Sequence, residues 1–128
     1  MGRSFGRMQS YRRLSVWHKA HALAVNVHRL TENIATTGNA GLVNQLRRAA
    51  LSIPTNIAEG SSRPTDKDFA KFLHIAFAST TEVEYHLEFA AALSIIPEHE
   101  FLNRQRELVE VRKMLSGLVK YLRKANRK

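Results

Sequence analysis

With 128 residues, 44% of them hydrophobic, the chain has the length of one domain and can bury a core without covalent staples. It contains no cysteine, which excludes disulfides and thiolate metal sites and suits a reducing, cytoplasmic setting. Twenty bases against eleven acids give a net charge of +9, which directs attention to anionic partners.

Residues 1–13 carry Arg3, Arg7, Arg12 and Arg13 with no acid and read as a basic arm. No apolar stretch follows the arginines of residues 1–10, so a secretory leader is not expected. No run anywhere approaches the roughly 18 apolar residues of a membrane span, so a membrane is not an expected partner. From residue 14 onward, apolar residues recur at alternating steps of three and four, the mark of helices packed side by side. The first helix presents Trp17, Ala20, Ala24, Val27, Thr31 and Ile34, widened by Val16, Leu23 and Leu30. A turn follows at Thr36-Thr37-Gly38-Asn39-Ala40-Gly41, whose glycines can take positive φ.

The second helix presents Leu42, Leu46, Ala49, Ile53 and Ile57, and Pro54 lies inside it, where a kink or a break is expected. Gly60-Ser61-Ser62-Arg63-Pro64 ends that helix, and Thr65 is placed to cap the third, with Asp66 and Asp68 in its first turn. The third stripe is Phe69, Leu73, Ala76, Thr80, Val83, Leu87 and Ala90. Pro97 suits the first turn of the fourth helix, whose stripe is Phe101, Leu108, Val111, Leu115, Leu118 and Leu122. Nothing alternates with period two. The short connections predict an all-α, up-down-up-down antiparallel four-helix bundle over 14–122, followed by a basic tail at 123–128.

Residues 112–128 also lack acids and hold Arg112, Lys113, Lys120, Arg123, Lys124, Arg127 and Lys128, whereas the stretch between the two basic ends is slightly acidic. An up-down-up-down bundle brings the start of its first helix and the end of its fourth to one end. The candidate nucleic-acid-binding residues are therefore Arg12, Arg13, Lys120, Arg123, Lys124 and Arg127, acting by phosphate neutralisation and counterion release. The plain alternative is a solvated tail. Tyr11, Trp17 and Tyr121 lie near these ends and are of a type that stacks on bases, although Trp17 is expected to pack in the core.

Constellations for catalysis are sparse. Glu82, Glu84, His86 and Glu88 cluster on the third helix, but a di-iron bundle uses Glu-x-x-His on two helices, and that ligand count is not met. No metal or cofactor is expected. Arg13 followed by His18 resembles the paired motif of the helical HEPN ribonucleases, but it opens the first helix instead of lying on a late one. The chain is expected not to be an enzyme. Gln45, Arg47, Arg48, Asn56 and Glu59 share the second helix with its apolar stripe. Burial favours pairing of Arg47 or Arg48 with Glu59, Glu82 or Glu84. Phe72, Ile75, Phe77, Phe89 and Leu93 widen the third helix beyond what one seam requires, which favours self-association.

The run Gln45-Leu46-Arg47-Arg48-Ala49-Ala50-Leu51-Ser52-Ile53-Pro54-Thr55-Asn56-Ile57-Ala58-Glu59-Gly60 resembles the signature of the four-helix bundle proteins encoded by intervening sequences within 23S rRNA genes. Val16-Trp17-His18-Lys19-Ala20, Asp68-Phe69-Ala70-Lys71-Phe72-Leu73 and Glu82-Val83-Glu84-Tyr85-His86-Leu87-Glu88 agree with it, and the likeness spans 14–122. Gln45, Arg47, Arg48, Pro54, Asn56, Glu59, Gly60, Glu82 and Glu84 are its motif positions in this chain, with a structural role. The family is similar in architecture to the accessory protein of diversity-generating retroelements, a basic pentameric bundle that binds nucleic acid and a reverse transcriptase. The resemblance thus implies a homopentamer with no catalytic residue. It also leaves two roles open, nucleic-acid binding and a scaffold for a nucleic-acid enzyme.

Overall fold

The computed structural model describes residues 10–34 and 38–125. A single 3-10 turn, Tyr11–Arg13, leads into four α-helices: α1, Ser15–Glu32; α2, Ala40–Ser61; α3, Asp66–Ala92; and α4, Glu98–Ala125. No strand occurs among the described residues.

The local chemistry of the chain sets these boundaries. Gly38 turns the chain before α2 with φ of 84°, a conformation that a Cβ disfavours. The Thr65 hydroxyl accepts the Asp68 N–H at 3.1 Å, and Asp66 and Asp68 occupy the positive first turn of α3. At the other end of α3, Ser94 takes φ of 59°, and the N–H groups of Ser94 and Ile95 return to the carbonyls of Ala91 and Ala90. This is a Schellman closure with serine at the position that glycine usually fills. Pro97 stands just ahead of α4 rather than inside its first turn, and its carbonyl accepts from Glu100 and Phe101. α2 continues through Pro54 as one helix, so the proline does not break it.

The predicted stripes form the core. Every predicted position on α3, from Phe69 to Ala90, is buried, and so are Ala20 and Val27 of α1, Leu46, Ala49, Ile53 and Ile57 of α2, and Leu108, Val111, Leu115 and Leu122 of α4. Phe101 and Leu118 are only partly buried against that core. Among the described residues α1 and α3 each pack on α2 and α4, while neither α1 and α3 nor α2 and α4 meet, so the four helices surround one core. Partners run in opposite directions along neighbouring helices. Lys19 meets Glu110 and Asn26 meets Glu107 across α1 and α4, while Thr80 meets Arg112 and Glu84 meets Gln105 across α3 and α4.

α2 and α3 approach closely because the seam between them is lined with small groups. A Cβ on Gly60 would lie 2.7 Å from the Cβ of Phe72 and 2.9 Å from the ring of Phe69. Higher up, the hydroxyls of Ser52 and Ser79 meet at 2.9 Å, and the Asn56 amide donates to both the carbonyl and the hydroxyl of Ser52. No helix among the described residues is long and apolar enough to cross a membrane.

Candidate nucleic-acid interface

The pairing of Lys19 with Glu110 fixes the relative level of α1 and α4. From that level Arg12 lies seven residues back along the chain and Lys120 ten residues on, so both basic groups reach the same end of the bundle at 1.5 Å per helical residue. Arg12, Arg13, Lys120, Arg123 and Lys124 are all exposed there. None of them forms an ion pair with another described residue. α4 continues to Ala125, so Arg123 and Lys124 belong to its last helical turn. Arg127 lies outside the described residues.

The chain before α1 is held against the bundle by a stack. The Ser10 hydroxyl accepts the Arg12 N–H at 3.1 Å, and the His18 Nε2 bonds the Arg12 carbonyl at 2.6 Å. Trp17 lies parallel to His21 at 4.8 Å and tilted against Tyr11 at the same distance, and the Arg12 guanidinium lies 4.7 Å over the Tyr11 ring. Trp17 is therefore occupied by its own neighbours and is half-buried, as core packing requires. The stack holds the Tyr11–Arg13 turn beside the start of α1, with Arg12 and Arg13 both exposed.

Arg112, counted above with the basic C-terminal block, turns inward instead. Its Nε donates to the Thr80 hydroxyl at 2.8 Å, and its Nη2 donates to the Thr80 carbonyl and to Glu84. Gln105 donates to the other Glu84 oxygen at 2.8 Å. This amide, followed by the Arg112 guanidinium, holds the Glu84 carboxyl below the ordinary carboxylate range, against the opposing effect of burial. The expected partnership of Arg47 or Arg48 with Glu59, Glu82 or Glu84 is not made. Arg47 instead crosses to α1, donating to the Thr31 hydroxyl at 2.6 Å and to the His28 carbonyl at 3.4 Å. The reason is direction along the helix: Arg47 projects from the α1 side of α2, while Glu84 projects from the α4 side of α3. Gln45, Arg48 and Glu82 line a shallow groove between α2 and α3 with Ala49 and Ser52, and no ion pair joins Arg48 to Glu82. Glu59 is exposed.

A second groove, of about 340 Å³, lies between α3 and α4 and is lined by Phe77, Arg112, Lys113, Ser116, Gly117 and Lys120. Sequence reasoning did not assemble it, although two signals were present: Phe77 lies off its helix's main stripe, and Gly117 interrupts the interior of a long helix. Of the surplus apolar side chains of α3, Ile75, Phe77, Phe89 and Leu93 are exposed, whereas Phe72 packs toward Gly60 of α2. Ile75, Phe89 and Leu93 share one outer face of the helix, with Tyr85 beside it. Among the described residues no group of three or more histidines, cysteines or carboxylates is placed to hold a metal ion.

The profile of the family described as 23S rRNA-intervening sequence protein matches residues 12–117. A crystal structure of a protein of unknown function from the S23 ribosomal protein family of Bacteroides thetaiotaomicron is similar, with a TM-score of 0.74 and 25% sequence identity, covering 82% of this chain and 98% of that one. No curated protein matches.

Proposed function

The chain belongs to the 23S rRNA-intervening sequence protein family, and from that premise we propose that it is a non-enzymatic, oligomeric, cytoplasmic bundle that binds RNA or DNA through the phosphate backbone. The observation that carries this reading is the end of the bundle where Arg12, Arg13, Lys120, Arg123 and Lys124 stand exposed without carboxylate partners among the described residues. Cations so placed are free to replace the counterions of a phosphate chain. His18, the histidine of the ribonuclease-like pair, is bonded to the Arg12 carbonyl. The exposed Ile75, Phe89 and Leu93 face supports self-association, and five copies is the number that the resemblance implies.

The test is titration of labelled single-stranded and structured RNA at several salt concentrations. Binding is expected to be tolerant of sequence and to weaken steeply with salt. Replacing Lys120, Arg123, Lys124 and Arg127 together by serine should weaken affinity and flatten the dependence of log K on log salt, with helicity unchanged. Equal binding by both proteins, or none by either at low salt, overturns the reading. The alternative, a scaffold for a nucleic-acid enzyme such as a reverse transcriptase, then takes its place. Purified protein should leave RNA uncut, and cutting that disappears in His18→Ala would restore the ribonuclease reading. Light scattering after gel filtration should give several times the 14.5 kDa of one chain.

A further inference from the structure

Gly117 has no structural reason to be glycine. It lies in the interior of α4, its φ is not positive, and a Cβ placed on it would meet nothing within 4 Å. Glycine there weakens the helix relative to alanine, and nothing inside the described bundle returns that loss. A missing side chain that no intramolecular contact requires opens the surface to something outside. The surface it opens is the groove between α3 and α4, where Phe77 is 37% exposed and Lys113 and Lys120 stand exposed on either side of Gly117 along the helix. Arg112 adds its charge to the groove, and the two carboxylates beside this stretch are already engaged, Glu84 by Arg112 and Gln105 and Glu110 by Lys19.

Two lysines seven residues apart lie about 10 Å from each other along one helix face, with an accessible aromatic ring and a bare stretch of backbone near them. We propose that this groove is a subsite for single-stranded nucleic acid, one unpaired base lying on Phe77 beside Gly117 while Lys113 and Lys120 meet the flanking phosphates. The proposal rests on the nucleic-acid reading above and adds to it a location and a preference for unpaired strands. The occupant is identified by complementarity: lysines without free acids select an anion, and an exposed ring selects a flat apolar face. A single strand supplies both at the same repeat, while a duplex hides its base faces. The groove opens near Lys120, so a strand lying in it continues toward Arg123 and Lys124.

The experiment measures fluorescence anisotropy with labelled oligouridine, oligothymidine and a duplex of equal length, using the full chain. Wild type should bind both single strands more tightly than the duplex. Phe77→Ala should weaken single-strand binding roughly tenfold, a typical effect of losing one stacked base, and leave the salt slope unchanged. Lys113→Ser with Lys120→Ser should flatten that slope by about 1.4, from roughly 0.7 per phosphate on a single strand. Gly117→Leu, which raises helix propensity and so keeps the fold, should fill the groove and weaken single-strand binding while sparing the duplex. Should wild type bind with the expected salt dependence while Phe77→Ala and Gly117→Leu bind as it does, the groove is not the site, although the basic end remains one. A changed assembly mass in Gly117→Leu with affinity intact would assign the groove to a second copy and equally overturn the proposal. If wild type binds no strand at low salt, the underlying nucleic-acid reading fails instead.

Discussion

On its α2 side α3 meets glycine, serine and alanine; on its α4 side it meets a guanidinium. The first seam is close and held by shape, with Gly60 against Phe69 and Phe72 and the paired hydroxyls of Ser52 and Ser79. The second is held by directed bonds from Arg112 to Thr80 and Glu84, completed by Gln105. A seam of the first kind fails when volume is added, because close-packed groups on two helices cannot yield separately. A seam of the second kind fails when a partner is removed, because a half-buried charge is left uncompensated. The resemblance motif spans the turns of α2 that form the first seam, and Arg47 within it crosses to α1 instead.

The sharpest way to break this contrast is to enlarge Gly60. Gly60→Val should destabilise the fold by about 2–3 kcal/mol, since the nearest obstruction is the Cβ of Phe72 and not the end of a flexible side chain. Urea unfolding measures it. A change below half a kilocalorie would show that the two helices separate easily and that shape does not hold this seam.

The polar seam should respond to charge. Glu84→Gln keeps the volume but removes the charge opposite Arg112, and should destabilise by about 1–2 kcal/mol; the side chains are 21% and 24% exposed, so water takes up part of the loss. A pH dependence distinguishes this from a packing effect. The folded-state pKa of Glu84 is lowered, so its contribution is present above the unfolded value and is lost as pH falls through the folded value. Wild type should therefore converge on the mutant in acid. Parallel curves down to low pH would remove the charge argument.

How much of this was legible depends on the kind of seam. Periodicity locates Leu73, Ala76, Val83 and Leu87 in the core because apolar spacing alone decides which face of a helix is buried. The motif singles out Gly60 and Pro54 but not the distance of Phe72 from Gly60, which depends on how two helices are set against each other. The partner of Glu84 was misassigned because charge pairing depends on facing direction. Glu84 projects toward α4, and Arg112 reads in sequence as one more base of a basic tail. The terminal charges were legible as residues, and their convergence followed once helix order was set. The groove around Phe77 and Gly117 was not, since it exists only between two helices.

Gly117 sharpens the contrast from the side of space. It is a glycine in a helix interior, like Gly60, but a Cβ on it would meet nothing. Gly117→Ala should stabilise the fold by about 0.5–1 kcal/mol, opposite in sign to enlarging Gly60. Destabilisation in thermal or urea unfolding would mean that a contact between copies already uses the bare backbone.

The smallest expected effect lies in the connections that set the two seams. α2 passes to α3 through a turn ended by the Thr65 cap, which fits its residue. α3 passes to α4 through Ser94, whose φ of 59° places a Cβ where left-handed backbone crowds it. Ser94→Gly should relieve that crowding and keep the returning bonds of the Schellman closure, both of which are made by main-chain N–H groups. Glycine also loosens the unfolded chain, which offsets part of the gain, so the net stabilisation should be about 0.5 kcal/mol. The rise in unfolding midpoint should come without a change in m, because no surface is added to or removed from the core. Ser94→Val should move the midpoint the other way, since β-branched side chains tolerate this conformation least. If glycine and valine shifted it alike, Ser94 would be free to leave the left-handed region, and the polar seam would hold without a fixed turn to align it.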